Sequence, residues 1–154
     1  MRRYLFLSLL SLVFLLSGCS EETLENTIVV TEDVLLATGD QIRILGRAIS
    51  DAQIEVSDHG FYVSKDPAFS SPTIVSLGPK SGPGRFIGLI EGLESGQLYY
   101  VKSFMILDSE MLFGNVVEVR TLSIFLDSFS PAFGSAGQEM TIIGGNFTEN
   151  TRVF

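Results

Sequence analysis

The sequence predicts an all-β protein in which antiparallel strands form a two-layer sandwich. Between residues 27 and 122 the apolar residues come in short runs that alternate with polar ones, as in half-buried strands. Gly, Pro, Asp and Ser separate these runs at regular intervals, and no stretch after residue 18 offers a sustained helical stripe. About seven short strands in some hundred residues are typical of an immunoglobulin-type sandwich.

An export signal precedes this region, over residues 1–18. Arg2 and Arg3 form a short positive start, and residues 5–16 form an uncharged apolar run. This run is too short for an ordinary membrane-spanning helix, which needs ~20 apolar residues. The short start and the very apolar run favour the general secretory route over twin-arginine export.

The apolar run closes on Leu16-Ser17-Gly18-Cys19, which resembles the bacterial lipobox at all four positions. The resemblance implies a diacylglyceryl thioether on Cys19, cleavage before it and acylation of the new amino terminus. It therefore implies a lipid-anchored protein of the bacterial cell envelope, on the surface or the periplasmic face of the outer membrane. One acyl chain anchors a protein marginally, whereas two or more hold it firmly. The alternative is an ordinary cleaved secretory peptide followed by a stray cysteine.

The mature chain is strongly acidic. Without residues 1–18 it has eight Lys and Arg against eighteen Asp and Glu, a net charge of −10. Such a chain repels phosphate backbones, so nucleic acid is not expected as a partner, and overall it gains nothing from anionic lipid heads. The membrane anchor is therefore expected to be covalent. Because Cys19 is the only cysteine, no disulfide is expected.

Residues 20–26 (SEETLEN) are polar and acidic, so residues 19–26 are predicted to form a tether. Some lipoproteins of Bacteroidetes carry an acidic surface-export signal directly after the cysteine, and Glu21 and Glu22 resemble it. A solvated linker is the equal alternative.

The strand from Ile42 shows a period of two, because Ile42, Ile44, Gly46 and Ala48 alternate with Arg43 and Arg47. Segment 78–84 (GPKSGPG) has three glycines and two prolines and is predicted to be a loop. The predicted strands span residues 27–36, 42–48, 54–64, 73–77, 85–90, 98–107 and 111–121.

Leu93 and Tyr99 lie six residues apart around a turn, which resembles the tyrosine corner of fibronectin type III domains. The resemblance implies that the phenol hydroxyl binds the corner backbone while the ring packs inside. Ser95 and Gln97 depart from the usual proline and threonine, and no tryptophan is present. A fibronectin type III-like domain over residues 27–122 is expected, similar to those of Bacteroidetes lipoproteins. The segments that continue the resemblance are 60–64, 72–73, 99–104 and 113–114.

A second resemblance begins near residue 124. Phe129-Ser130-Pro131, the glycine turn 134–137 and segment 140–147 (MTIIGGNF) resemble the opening of an IPT/TIG domain, an immunoglobulin-like sandwich of bacterial surface proteins. Two or three strands cannot bury both faces of a sandwich core. Residues 124–154 are therefore expected to form an incomplete second immunoglobulin-like sandwich, with further protein downstream.

Catalytic and metal-binding patterns are missing from the sequence. His59 is the only histidine, and it is expected at the surface or in a turn rather than in a catalytic group. Asp66, Asp108 and Glu110 lie in predicted turns but form no regularly spaced calcium loop. No zinc ligand set, phosphate-binding loop or distinct carboxylate pair is visible. We therefore expect no enzyme activity, metal or cofactor.

One predicted strand carries a candidate binding surface. If Tyr99, Val101 and Ser103 face the core, then Tyr100, Lys102 and Phe104 share the outer face. Exposed aromatic rings beside a lysine form a possible platform for sugar rings. Packing against a neighbouring domain, or scattered surface aromatics, is the competing interpretation.

The function expected from the sequence is a non-catalytic binding or spacer module of the envelope, whose partner is a polysaccharide, in surface glycan capture, or another envelope protein. One alternative is the accessory N-terminal region of a larger polysaccharide-degrading enzyme. Another is a structural or adhesive module that binds protein.

Overall fold

The computed structural model describes residues 26–149, 151 and 152. The predicted signal peptide, Cys19 and the tether up to residue 25 lie outside the described residues. Within them no helix is long and apolar enough to cross a membrane. The strands are β1 (Ile28–Ala37), β2 (Ile42–Ile49), β3 (Glu55–Ser64), β4 (Thr73–Ser81), β5 (Gly84–Ile90), β6 (Leu98–Leu107), β7 (Glu110–Arg120), β8 (Phe125–Ser130) and β9 (Thr141–Gly145).

The first seven strands form two antiparallel sheets. One sheet has three strands in the order β1-β2-β5, and the other has four in the order β4-β3-β6-β7. The predicted all-β antiparallel sandwich is confirmed, and every predicted strand except β4 ends within one residue of the observed bounds. The β6–β7 hairpin turns through Asp108 and Ser109, whose φ angles of 48° and 72° are those of a two-residue type I′ turn.

The prediction of a loop over residues 78–84 is wrong. Residues 78–81 continue β4, and only Gly82 and Pro83 separate it from β5. The strand tolerates Pro79 because β4 is the edge of its sheet, where an amide can be lost without breaking a central ladder. A register shift opposite Gly78, whose φ is 79°, marks the irregular part of the strand.

The core lies between the two sheets and follows the alternation of the strands. Ile42 and Ile44 of β2 and Phe61 of β3 are fully buried, together with Val101 of β6. Each such side chain contributes ~1.5–3 kcal/mol of burial free energy. Gly88 of β5 allows the Phe61 ring to lie against the backbone, since a Cβ there would come within 2.5 Å of the ring.

A buried polar network joins the edge strand β1 to the other sheet. Ser103 N donates to Thr31 Oγ1 at 2.8 Å, the Thr31 and Ser103 hydroxyls lie 3.0 Å apart, and Thr31 Oγ1 donates to Asn115 O at 2.7 Å. Asn115 closes the network, because its side-chain amide exchanges two 3.0 Å hydrogen bonds with the Thr31 backbone. The network therefore holds β1 to β6 and β7 where no sheet ladder does so.

The tyrosine corner is present as its sequence predicts. The Tyr99 ring is buried, and the Tyr99 hydroxyl accepts a 2.9 Å hydrogen bond from the backbone N–H of Glu94. Thr121 caps the same corner, since its hydroxyl donates to the Glu94 carbonyl at 2.5 Å. The loop before β6 is thereby fixed to the end of β7.

β8 and β9 pair as a separate antiparallel hairpin. Its large side chains are exposed, among them Phe125, Leu126 and Phe129. Directly after β9, the side-chain amide of Asn146 donates at 2.7 Å to the carbonyl of Ser123, in the segment that joins β7 to β8. This hairpin occupies the segment that resembles an IPT/TIG domain, and most of its apolar surface has no cover among the described residues.

Candidate functional site

The outer face of the four-stranded sheet gathers most of the predicted site residues. Val101 and Ser103 point into the core and are fully buried, so Tyr100, Lys102 and Phe104 share the opposite face, as the alternation predicts. Across the strands, Tyr62 of β3 pairs with Lys102, and Phe113 of β7 pairs with Phe104. With Phe69 from the β3–β4 loop, these residues form what we call the Lys102 cluster: Tyr62, Phe69, Lys102, Phe104 and Phe113.

The expectation that Phe104 is exposed is wrong. Phe104 is only 1% exposed although it lies on the outer face. The edge of the Tyr62 ring covers it at a centroid distance of 5.2 Å. On β3 the position opposite is Gly60, where an added Cβ would lie 3.1 Å from the Phe104 ring. Phe104 therefore supports the outer layer of rings and is not itself a contact surface.

Lys102 lies between aromatic rings. Its Nζ is 4.3 Å from the Phe69 ring centroid, 4.2 Å from that of Phe113 and 5.8 Å from that of Tyr62. A cation over an aromatic face gains ~0.5–1 kcal/mol at exposed sites and more where it is desolvated. The ammonium therefore links three rings of this face through cation–π contacts.

Phe69 reaches the cluster from a turn with an unusual backbone. Its φ of 53° is in the left-handed region, which is rare for a bulky residue. The turn begins at Asp66, whose carbonyl accepts from Phe69 N at 3.0 Å. The Asp66 carboxylate accepts from Ser70 Oγ at 2.6 Å and from the amides of Ala68 and Ser70 at 3.0 and 3.2 Å. These hydrogen bonds lower the pKa of Asp66, and the bond from the Ser70 hydroxyl has the largest effect.

Exposed apolar side chains surround the cluster. Ile74 pairs with Tyr62 and Val116 pairs with Lys102, so both share the outer face. Met111 also lies close, since its sulfur is 3.6 Å from the Tyr62 hydroxyl. Ile74, Met111, Phe113 and Val116 are all exposed. The face is therefore largely apolar, with the charge of Lys102 already engaged by rings.

A groove with both polar and apolar lining residues begins at the same turn. It has a volume of about 550 Å³ and runs between the β3–β4 loop and the β5–β6 loop, with Asp66, Ser70, Glu91 and Glu94 among its lining residues. An ion pair between Lys65 and Glu94 crosses it. The hydrogen bond with Glu94 is the main cause of a raised pKa for Lys65. The groove supplies the hydrogen-bonding groups that the apolar face lacks.

His59 is not the surface or turn residue that the sequence predicts. It is buried in the sandwich, with Nδ1 2.6 Å from the Gly78 carbonyl oxygen and its ring edge-on to Phe86 at 4.8 Å. Its Nδ1 therefore bonds backbone, and the ring packs as part of the core. Among the described residues no group of three His, Cys, Asp or Glu side chains could hold a metal ion.

Sequence reasoning missed Tyr62, Phe69 and Phe113 as members of the site. Tyr62 and Phe113 become neighbours of Lys102 only through the strand register, which one sequence does not reveal. Phe69 had one usable signal, because it follows Asp66-Pro67 in a segment typical of a turn. The direction of the Phe69 side chain toward Lys102 depends on its left-handed φ, and the presence of a Phe in a turn does not predict that conformation.

Comparison with known proteins identifies the fold and no more. No family model and no curated protein matches the chain. Among solved structures it is similar to the sensor domain of the anti-sigma factor RsgI4 of Pseudobacteroides cellulosolvens. A shorter form has 12% identity and a TM-score of 0.53, and it is matched over 66% of this chain and 99% of its own. A longer form has 13% identity and a TM-score of 0.52, over 66% of this chain and 95% of its own.

Proposed function

We propose that this chain is a non-catalytic binding module of the bacterial cell envelope, held by lipid on Cys19. It captures a glycan on the Lys102 cluster and the adjoining groove. One observation carries the proposal: the turn from Asp66 to Phe69 belongs to both surfaces, so aromatic rings and hydrogen-bonding groups meet at one place.

That combination suits a sugar polymer. Aromatic rings pack against the apolar faces of sugar rings, while carboxylates and hydroxyls bind sugar hydroxyls. The Lys102 ammonium already contacts the rings of Phe69 and Phe113 without a ligand, and contacts formed before binding lower the entropy cost of binding. Phe113 is the ring with the most exposed position in the cluster and is the expected principal contact.

Binding to an array of envelope and plant polysaccharides tests the proposal. Phe113→Ala is expected to weaken glycan binding about tenfold, corresponding to ~1.4 kcal/mol. Phe133→Ala is the matched control, because Phe133 is 92% exposed in the β8–β9 hairpin and lies outside the cluster. If both variants bind as well as the parent, or if no glycan binds, the glycan proposal is wrong.

A second candidate is a structural or adhesive module that binds protein through the same face. The exposed apolar side chains of Ile74, Met111 and Val116 favour it, since contiguous apolar patches of this kind mark protein interfaces. Ile74→Asp is expected to abolish capture of an envelope protein while a glycan contact centred on Phe113 survives. The accessory region of a larger polysaccharide-degrading enzyme remains a further alternative, and it predicts that the glycan bound is that enzyme's substrate.

Lipid on Cys19 is tested separately. The intact mass of the membrane-extracted protein is expected to include the diacylglyceryl group. Cys19→Ser is expected to release the protein from membranes, and a variant that stays bound through another segment would contradict the lipobox interpretation. Surface proteolysis of whole cells then distinguishes the outer surface from the periplasmic face.

The two domain types are part of the same proposal. The tyrosine corner and the order of the seven strands support a fibronectin type III-like sandwich. The exposed apolar side of the β8–β9 hairpin supports the opening of an IPT/TIG domain. Sequencing past the codon for Phe154 tests the latter: an open frame with further alternating strands supports it, and an immediate stop contradicts it.

A further inference from the structure

The outer face of the three-stranded sheet has a composition unlike the rest of the chain. Arg43, Arg47 and Arg85 all lie on it, because their neighbours Ile42, Ile44 and Phe86 point into the core. Exposed apolar residues occupy the rows between them. We call this surface the arginine face; its members are Arg43, Arg47, Arg85, Ile28, Leu36, Ile87 and Leu89.

The strand register sets these residues in an alternating pattern. Arg43 lies between Leu36 of β1 and Leu89 of β5. Arg47 lies beside Arg85, and Ile87 is one row further along. The cations of β2 and β5 therefore lie among apolar side chains contributed by β1 and β5.

Glu32 of β1 lies beneath these cations. Glu32 bonds Arg85 at 2.8 Å and Arg47 at 3.6 Å. The Glu32 side chain is 16% exposed, against 48% for Arg47 and 64% for Arg85. The centre of the face therefore presents guanidinium and hydrocarbon to solvent, in a chain whose mature net charge is −10, while Asp33 on β1 and Glu91 directly after β5 are exposed beside it.

From this arrangement we propose that the arginine face docks on a membrane surface that contains anionic phospholipid. Apolar side chains can enter the boundary between headgroups and acyl chains, while arginines extend their guanidinium groups to the phosphates. The proposal rests on the proposed function in one respect, since lipid on Cys19 would bring the face to the bilayer. The acidity of the whole chain does not oppose it, because screening limits the distant acids to a range of about 8–10 Å.

Chain length is consistent with this geometry. Nine residue steps separate Cys19 from Ile28, and a chain of that length spans at most ~32 Å. Ile28 is itself an exposed member of the arginine face. The strand nearest the anchor therefore begins on the surface that would meet the membrane.

A second copy of the chain fits the face less well. A two-fold dimer through it would bring together two copies of a patch whose central charges are mostly arginines, and like charges across an interface are unfavourable. Anionic headgroups instead complement all three. Docking by this sheet also leaves the Lys102 cluster, on the outer side of the other sheet, directed away from the bilayer.

The protein contains no tryptophan, so a single introduced tryptophan reports its own surroundings. Ile87 and Ile74 are each 53% exposed, on the arginine face and on the Lys102 side respectively. Ile87→Trp and Ile74→Trp, in the full lipid-anchored protein, are reconstituted in vesicles of phosphatidylglycerol and brominated phosphatidylcholine. We expect blue-shifted, bromine-quenched emission from Ile87→Trp only. Equal quenching of the two, or quenching of Ile74→Trp alone, overturns the proposal.

A second measurement does not depend on lipidation. The chain produced from residue 20 contains every described residue of the sandwich and serves for vesicle sedimentation. Arg43→Gln is expected to weaken the binding of this chain to phosphatidylglycerol vesicles about fivefold. The control is Arg152→Gln, which removes the same charge near the hairpin and is expected to leave vesicle binding unchanged.

The outcomes separate the two proposals. Vesicle binding by the unlipidated chain together with a mass that lacks lipid supports the arginine face and rejects the anchor. A mass that includes lipid, together with vesicle binding that Arg43→Gln does not change, supports the anchor and rejects the arginine face. Concentration-dependent dimerisation that Ile87→Asp abolishes, without vesicle binding, assigns the face to a second copy and overturns the proposal.

Discussion

Replacing Thr31 by valine tests whether the buried polar network holds β1 to the four-stranded sheet. Valine has nearly the shape of threonine, so the core packing is kept and only the hydroxyl is lost. In the folded protein that hydroxyl accepts from Ser103 N, pairs with Ser103 Oγ and donates to Asn115 O. The variant therefore isolates the hydrogen bonds from the packing.

The magnitude follows from which partners remain buried. Ser103 is fully buried, so its N–H loses its acceptor away from water at a cost of ~1–3 kcal/mol. The lost hydroxyl pair adds ~0.5–1.5 kcal/mol. Asn115 is an exposed residue, so its carbonyl can bond water in place of the Thr31 hydroxyl. The methyl group that valine has in place of that hydroxyl recovers part of the lost free energy through apolar burial. We expect a net decrease of about 2–3 kcal/mol in the free energy of unfolding.

Urea unfolding at neutral pH measures this decrease as a fall in the transition midpoint of about 1–2 M. The control is Thr27→Val, which removes a hydroxyl bonded to Ser50 at 2.9 Å near the edge of the sandwich and should cost less than ~1 kcal/mol. If Thr31→Val lies within ~0.5 kcal/mol of the parent, the usual range for surface changes, the network contributes nothing. The reasoning about β1 would then be refuted.

Three further predictions follow from the corner, the cluster and its turn. Tyr99→Phe removes the acceptor of the Glu94 amide and should lower the free energy of unfolding by ~1–2 kcal/mol, measured by urea titration. Gly60→Ala places a Cβ 1.9 Å from a backbone carbonyl of β4, so it should abolish folding in expression and circular dichroism, whereas Gly92→Ala, with nothing within 4 Å of its Cβ, should fold. The lowered pKa of Asp66 means that its carboxylate stabilises the turn above the ordinary pKa of 3.8 and loses this effect as the pH falls through the lower folded value. Amide chemical shifts of the turn should therefore change in that acidic range in the parent and not in Asp66→Asn.

The strands β2, β3, β5 and β6 were predictable because one face of each is buried. In β2 the buried residues Ile42 and Ile44 enclose Arg43, and that period of two fixes both the strand and its inner face. The sequence predicted too short a β4 because Gly78 and Pro79 are residues that normally interrupt strands. Whether a strand lies at the edge of a sheet, where proline is tolerated, depends on pairing with β3, and no local pattern contains that information.

The candidate site was predictable only in part, for a related reason. Alternation along β6 placed Lys102 and Phe104 on one face without any knowledge of the neighbours. Their exposure depends on the strands beside them, since Tyr62 covers Phe104 and the Phe113 ring lies against the Lys102 ammonium. His59 shows the same dependence, because only the pairing of β3 with β4 brings its ring nitrogen to a backbone carbonyl.

The two outer faces are expected to differ in their response to salt, because they use their cations differently. The Lys102 ammonium is engaged by the rings of Phe69 and Phe113, so a neutral glycan on that face gains little from its charge. On the arginine face, the side chains of Arg47 and Arg85 are 48% and 64% exposed beside Glu32, and Arg43 is exposed as well, so their guanidinium groups can also reach phosphates. Raising the ionic strength to 1 M shortens the screening length to ~3 Å and should therefore weaken vesicle binding strongly while glycan binding changes little. Equal loss of both would mean that the glycan site depends on charge, which would contradict the role assigned to the Lys102 cluster.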